Sequence, residues 1–231
     1  HEQNSVAGMA NRWLAKVADR VFTAFPDVLA GAQWVGNPLR AAFTAQPAPA
    51  ERFAGRTGPL QVLVVGGSLG AKALNTVVPR ALALLPVDQR PQVLHQSGAK
   101  QIDDLRAHYQ AAGVKASLTP FIDDTASAFA QADLIVCRAG ASTVTEIAAV
   151  GAAAIYVPFP FAVDDHQTTN AQLLVAQGGG WLQQQSALTP EWLAAQWQTL
   201  TRAELLVKAQ AAWALRKTDA TQELVAACEE L

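Results

Sequence analysis

The 231-residue sequence predicts an α/β fold, a doubly wound parallel sheet covered by helices. Three observations carry this. From residue 60 onward, short runs rich in Val, Ile and Leu alternate with longer amphipathic stretches, as strands buried on both faces alternate with covering helices. Two of the junctions between an apolar run and the next helix are rich in glycine and small residues. Hydrophobic residues make up 51% of the chain and charged residues 16%, with 17 Lys+Arg against 19 Asp+Glu, which supplies a core and no net field for nucleic acid or another polyanion.

Along the chain, strands are expected at 61–66, 92–95, 117–119, 133–137, 153–157 and 181–183. Helices are expected at 71–84, 100–112, 124–131, 143–150, 167–177 and 190–199. The first strand, Val62-Leu63-Val64-Val65, closes on Gly66-Gly67, the third runs into Phe121-Ile122-Asp123-Asp124, and the fourth ends at Cys137. After the fifth, Pro158 and Pro160 mark a turn into Asp164-Asp165-His166-Gln167. Six strands in this alternation make one complete Rossmann-like domain, bounded at 60–215.

Ahead of it, 1–40 reads as the tail of another domain, with a helix at 6–17, a short strand at 20–25 and a turn at Gly36-Asn37-Pro38. The stretch 41–59, with Pro47, Pro49, Gly55, Gly58 and Pro59, has linker composition. At the far end, 202–214 and 220–231 carry helical periodicity without further strands, and 216–231 is expected to pack outside or to return to whatever precedes the linker.

Other classes are excluded by the same inspection. The charge-free stretch 147–163 is interrupted by Gly151, Pro158 and Pro160, which suits a buried strand and a turn and not a membrane span. Cys137 and Cys228 form no CxxC pair, so neither a disulfide scaffold nor a zinc site is expected, and a reducing compartment is. Opening at His1 with no signal-peptide character, the sequence reads as a piece of a longer chain.

The chemistry-bearing residues cluster at strand ends. Gly66-Gly67-Ser68-Leu69-Gly70-Ala71 joins a strand to a helix, so unpaired backbone N–H groups and the Ser68 hydroxyl could meet a phosphate. It is neither GxGxxG nor a P-loop, and a tight turn of small residues explains it equally well alone. Arg138-Ala139-Gly140-Ala141-Ser142-Thr143-Val144-Thr145-Glu146 repeats the arrangement one half-domain later. Glu146 could accept both hydroxyls of a ribose; the plainer alternative is a capping box with Ser142 or Thr143. Two such junctions in one sheet favour a nucleotide diphosphate. His166, Gln167 and Asn170 suit sugar hydroxyls, against the alternative of an Asp165 cap with exposed neighbours. Adjacent Asp123 and Asp124 point apart, so a helix cap outweighs a catalytic dyad, and Asp164, Asp165 and His166 are too close in sequence to converge on a metal.

Taken together and in order, His1-Glu2-Gln3-Asn4, Val35-Gly36-Asn37-Pro38-Leu39-Arg40, the 66–71 junction, His95-Gln96-Ser97-Gly98, 121–124 and 137–146 resemble the MurG family of peptidoglycan glycosyltransferases over nearly the whole chain. The resemblance implies the GT-B arrangement, with this chain as its C-terminal donor-binding half behind the end of the N-terminal domain. It implies that UDP-GlcNAc is bound by Asn4, Arg40, Ser68, Ile122, Ala141, Ser142, Thr143, Val144, Thr145, Glu146 and Gln167. Ile122 would meet uracil through its backbone, Glu146 the ribose, Ser68 and the Ser142/Thr143 helix start the diphosphate, Gln167 the GlcNAc hydroxyls and Arg40 the leaving group, with His166 as a further sugar contact. The 158–167 stretch follows the family only loosely in spacing.

The reaction so implied is inverting transfer of GlcNAc to the C4 hydroxyl of the muramoyl sugar of lipid I, giving lipid II, at the cytoplasmic face of the bacterial inner membrane. No metal or other cofactor is expected, and the catalytic base is expected in the N-terminal domain. Trp13 with Arg12 and Lys16 is a local membrane-contact candidate. The alternatives are another GT-B UDP-sugar enzyme, such as an epimerase, or a stand-alone nucleotide-sugar binding module.

Overall fold

A computed structural model describes residues 1–67 and 70–230. The first segment holds α1 (Met9–Leu14) and two parallel strands, β1 (Phe22–Thr23) and β2 (Gln33–Trp34), with Glu2 bridged to Thr23 alongside. Then follow α2 (Ala41–Thr44), α3 (Pro49–Phe53), β3 (Gln61–Val65), α4 (Lys72–Leu84), β4 (Gln92–Gln96), α5 (Ile102–Ala112) and β5 (Ser117–Thr119). The second half runs α6 (Thr125–Gln131), β6 (Leu134–Cys137), α7 (Ala141–Val150), β7 (Ala154–Tyr156), α8 (His166–Val175), β8 (Trp181–Leu182), α9 (Pro190–Thr199), α10 (Arg202–Ala214) and α11 (Ala220–Glu229).

The large sheet has six strands in the order β5-β4-β3-β6-β7-β8, every neighbouring pair parallel. Strand side chains alternate between the two faces, which sorts the core into two layers. Val62, Val64, Leu134, Val136 and Ile155 pack under α4, α5 and α9 with Leu74, Val78, Leu105 and Leu193. Leu63, Ile135, Cys137 and Tyr156 pack under α6, α7 and α8 with Phe129, Val144, Ile147 and Leu174. Because both faces are covered, the central strands read as continuous apolar runs, which is why they were visible in the sequence.

Helix ends follow local chemistry. Asp124 caps α6 by accepting from the Ser127 N–H at 3.0 Å, as its position predicts. Thr201 and Glu204 close a full capping box on α10. α7 stops at Gly151, whose φ of +68° satisfies the last turn through bonds to Ile147 and Ala148 carbonyls. A Cβ there would stand 2.7 Å from the Pro49 ring and 2.9 Å from Trp213, so α3 and α10 can approach only a glycine.

Several expectations change. The helix expected at 6–17 is confined to Met9–Leu14, because the Glu2 carboxylate draws in Asn4 N–H (2.8 Å), Gly8 N–H (3.0 Å) and Asn11 Nδ2 (2.9 Å) and bends the chain ahead of it. Strand β2 has no counterpart among the expected elements, being two residues long with no period to read. The linker-like 41–59 contains α2 and α3. Phe43 is fully buried, edge-on to Phe129 at 5.9 Å, and wedges α2 between α6 and α7. Arg52 donates to the Ala130 and Val150 carbonyls at 2.7 and 2.8 Å, capping the C-terminal ends of α6 and α7. Burial, reinforced by the charge of Arg56, pushes the Arg52 guanidinium down to about 10. The two terminal helices divide the expectations between them. α10 packs on α3 and α7, whereas α11 returns to the first segment, where Ala220 and Ala227 cover Phe22 and Val35.

Candidate functional site

In the strand order, connections from β3 lead one way along the sheet and those from β6 the other, so a crevice opens between the C-terminal ends of these neighbours. Both glycine-rich junctions face it. After β3, Gly67 and Gly70 have φ of +81° and +76°, and the Gly70 N–H closes a turn on the Gly67 carbonyl at 3.0 Å. A Cβ on Gly70 would overlap the Ser97 carbonyl oxygen, which makes glycine obligatory where the chain passes so near β4. Ser68, the expected phosphate donor, lies outside the described residues.

After β6, α7 starts two residues earlier than expected, with Gly140 at its N-cap and no side-chain cap among the described residues. The capping-box alternative for Glu146 is therefore not realised, and the first N–H groups of α7 point at the crevice. Ser142 is exposed and Thr143 and Glu146 are half-buried on the outer face. Ala141, Val144 and Thr145 turn inward, and the Thr145 hydroxyl donates back to the Ala141 and Ser142 carbonyls, both at 3.0 Å. Their side chains are thus occupied with holding the helix.

Arg40 stands at the N-cap of α2 with its guanidinium 5.0 Å over the Phe43 ring. The buried wedge of Phe43 sets it beside Glu146 and Asp124, both of which feel its charge. Burial pushes the Glu146 carboxyl up to about 7, and Arg40 opposes this only in part. The Asp124 carboxyl is held below its usual range by its bonds from the Ser127 hydroxyl and N–H, with Arg40 adding to them. Ile122 is half-buried against the second core layer, and its carbonyl accepts from the Thr125 hydroxyl at 3.2 Å.

The remaining expected residues gather on the other side. Asn4 and His166 line one cavity of about 530 Å³ with His1, Gln3 and Asp164. Gln167 faces the crevice edge, but its Oε1 already accepts from the N–H groups of Ala139 (3.2 Å) and Phe159 (2.9 Å). Asp164 and Asp165 both adopt positive φ, 52° and 49°, and Asp165 makes no side-chain cap to α8; it accepts from the Thr168 hydroxyl at 2.7 Å instead.

Three supporting residues were not read from sequence in these roles. Asn170, fully buried, accepts from the Ser5 N–H at 2.9 Å and donates to the Ala139 carbonyl at 3.2 Å, joining the first segment to the α7 junction. Arg138 donates to the Val157 and Pro158 carbonyls at 3.0 Å each and to Gln185 at 2.6 Å, fixing the junction to the loop after β7. Glu2 is buried, yet its bonds from Asn4, Asn11, Gly8 and Gln3 overcome that burial and hold its carboxyl below the usual range. The sequence shows Glu2 and Arg138 within motifs and Asn170 beside Gln167, and none of these placements reveals a hydrogen-bond partner.

A doubly wound parallel sheet with two glycine-rich strand-to-helix junctions at its switch point defines a Rossmann-like α/β domain. Residues 61–224 match the Glycosyltransferase family 28 C-terminal domain, and the chain belongs to that family. Over its full length it is 71% identical to a protein of Polaromonas naphthalenivorans and 69% identical to one of Albidiferax ferrireducens. Each of these is named UDP-N-acetylglucosamine--N-acetylmuramyl-(pentapeptide) pyrophosphoryl-undecaprenol N-acetylglucosamine transferase. The chain spans 64% and 60% of the lengths of these two relatives. Among solved structures it is similar to Acinetobacter baumannii MurG, with a TM-score of 0.89 at 41% identity over 100% of this chain and 66% of that one. A glycotransferase of kitacinnamycin, 18% identical with a TM-score of 0.59 over 93% of this chain and 59% of its own, shares the fold alone. The expected α/β fold, the C-terminal half of a GT-B glycosyltransferase, thus stands.

Proposed function

We propose that the chain is the donor-binding half of an inverting N-acetylglucosaminyltransferase. The whole protein would move GlcNAc from UDP-GlcNAc to the C4 hydroxyl of the muramoyl sugar of lipid I, giving lipid II in peptidoglycan synthesis. The observation that carries this reading is the uncapped start of α7 at the switch point, with Glu146 and Arg40 beside it. The names of the relatives support the donor and the acceptor.

In this reading the N–H groups at the start of α7, with Ser142, Thr143 and the expected donor Ser68, hold the diphosphate, and the aligned helix dipoles stabilise the charge that develops as UDP leaves. Glu146 takes the ribose hydroxyls and the Ile122 backbone reads uracil. With its oxygen occupied, Gln167 has its Nε2 for the sugar, alongside Asn4 and His166 on their shared cavity. Arg40 adds positive charge near the leaving group, and from beside Glu146 it partly opposes the burial that disfavours the carboxylate. Ala141, Val144 and Thr145 act through the helix they stabilise. The acceptor and its catalytic base belong to the preceding domain.

Attachment to the cytoplasmic face of the inner membrane is part of the proposal. Met9, Trp13, Leu14 and Val17 are 78, 65, 60 and 79% exposed, and the Lys16 ammonium lies 4.2 Å over the Trp13 ring, a basic and apolar surface of the kind that lies on anionic lipid. Among the described residues no helix is long and apolar enough to cross a membrane.

Calorimetry of the 231-residue chain with UDP and UDP-GlcNAc tests the reading, beside a lipid I transfer assay on the same sample. Binding of both nucleotides without transfer is the expected result. Absence of uridine-nucleotide binding by the folded chain would refute it, and turnover would show that a base within this chain, such as His166, serves the reaction.

A further inference from the structure

β4 ends in Gln96, which is 4% exposed. Its Nε2 donates to the Gly67 carbonyl at 3.1 Å and to the Pro120 carbonyl at 2.9 Å. Two acceptors on one side settle which end of the amide is nitrogen. Oε1 is then left buried with no hydrogen-bond partner. An orphan acceptor of this kind is costly, and an apolar side chain of the same length would avoid it. The amide is accordingly explained by what its nitrogen does.

That nitrogen ties the glycine-rich junction after β3 to the loop after β5, which carries Ile122, across the strand that lies between them. The backbone runs the same way, with Gly66 N–H on the Gln96 carbonyl (3.2 Å), Ser97 N–H on Thr119 (3.1 Å) and Gly98 N–H on Pro120 (3.2 Å). A buried chain of side chains supports it from below. Asn75 donates to Gln101 Oε1 at 2.9 Å, which turns its own oxygen to His95 Nε2 at 3.0 Å and leaves His95 Nδ1 to accept from the Tyr109 hydroxyl at 3.0 Å. The far end of that chain, Gln101 Nε2, lies against Gly70.

We propose that Gln96 is a positioning residue for the nucleotide, holding the diphosphate-side junction and the base-side loop at the separation that one nucleoside diphosphate spans. The proposal rests on the donor-binding reading above. A clamp of this kind matters little to a ligand that touches one loop and greatly to one that must engage both, since only the second benefits from preorganised spacing.

The test compares the wild-type chain with Gln96→Met, which keeps length and removes both the clamp and the orphan carbonyl. Uridine, inorganic pyrophosphate and UDP are titrated by NMR or calorimetry. We expect losses of under about threefold for uridine and for pyrophosphate, and of about thirtyfold or more for UDP. A UDP loss no larger than the product of the other two overturns the proposal, because a merely structural role weakens all three alike. If wild type binds no UDP, it is the donor reading that fails. Should Gln96→Met melt in the absence of ligand, Gln96→Asn, which keeps the amide but shortens its reach, carries the same comparison.

Discussion

Glu146 provides the sharpest test, because its carboxyl titrates where binding is measured. In the free chain burial pushes it up to about 7, so between pH 6 and pH 8 the ionised fraction rises from about one tenth to about nine tenths. Only the carboxylate can accept both hydroxyls of a ribose, so nucleotide affinity should rise about tenfold over that interval. At pH 7 binding should release about half a proton from this group. Stability runs the other way. A carboxyl raised above its unfolded value favours the fold below about pH 4.5, and that contribution is lost as pH rises through about 7. The phosphate of UDP also titrates near pH 6, so Glu146→Gln serves as the reference that retains the phosphate and removes the carboxyl. Calorimetry in two buffers of different ionisation enthalpy reads the proton count directly. Glu146→Gln should lose the Glu146 share of the release and most of the pH dependence, and Glu146→Ala should cost about 1.5–3 kcal/mol in UDP affinity at pH 8. Equal proton release by wild type and Glu146→Gln would remove Glu146 from the ribose site.

Asn170→Ala strands the Ser5 N–H and the Ala139 carbonyl, both drawn to one buried side chain, and should cost about 2–4 kcal/mol in urea unfolding while raising hydrogen exchange at Ser5. Unchanged exchange at Ser5 would show that the first segment is held elsewhere. Gln167→Ala should weaken UDP as well as UDP-GlcNAc, because the amide oxygen organises the Ala139 and Phe159 N–H groups, whereas Gln167→Glu keeps an oxygen to accept from both donors and should lower chiefly the preference for GlcNAc. Parallel effects of the two variants on competition titrations would contradict this division. Arg52→Met uncaps the C-terminal ends of α6 and α7 and should cost about 2–4 kcal/mol in stability, with UDP affinity per folded molecule unchanged, a split that calorimetry alongside a denaturant titration resolves.

Much of the domain was legible from local pattern. The strand at 117–119 and the helix at 190–199 stand where apolar runs and turn residues put them, and the Asp124 cap follows from one residue and its position. Burial on both faces leaves a continuous apolar run, burial on one face leaves a helical period, and either can be read without knowing the partner. The two glycine-rich junctions were legible for the same reason, as local breaks between those patterns. What local pattern does not contain is the identity of the partner. Phe43 in a proline-rich stretch carries no period that distinguishes a loose linker from a wedge between α6 and α7, and Arg40 therefore could be placed beside Glu146 only by the packed fold. The Glu146 capping box and the open Gln167 amide were both sensible readings of neighbours in sequence. For Glu146 the choice was made by where α7 begins, with Gly140 at the N-cap, and for Gln167 by the Ala139 and Phe159 N–H groups brought up to its oxygen. The bond from Ser5 to Asn170 spans 165 residues. Such contacts are selected by tertiary closure, in which every buried donor and acceptor must find a mate, and that requirement acts on the assembled chain and leaves no mark on either residue alone.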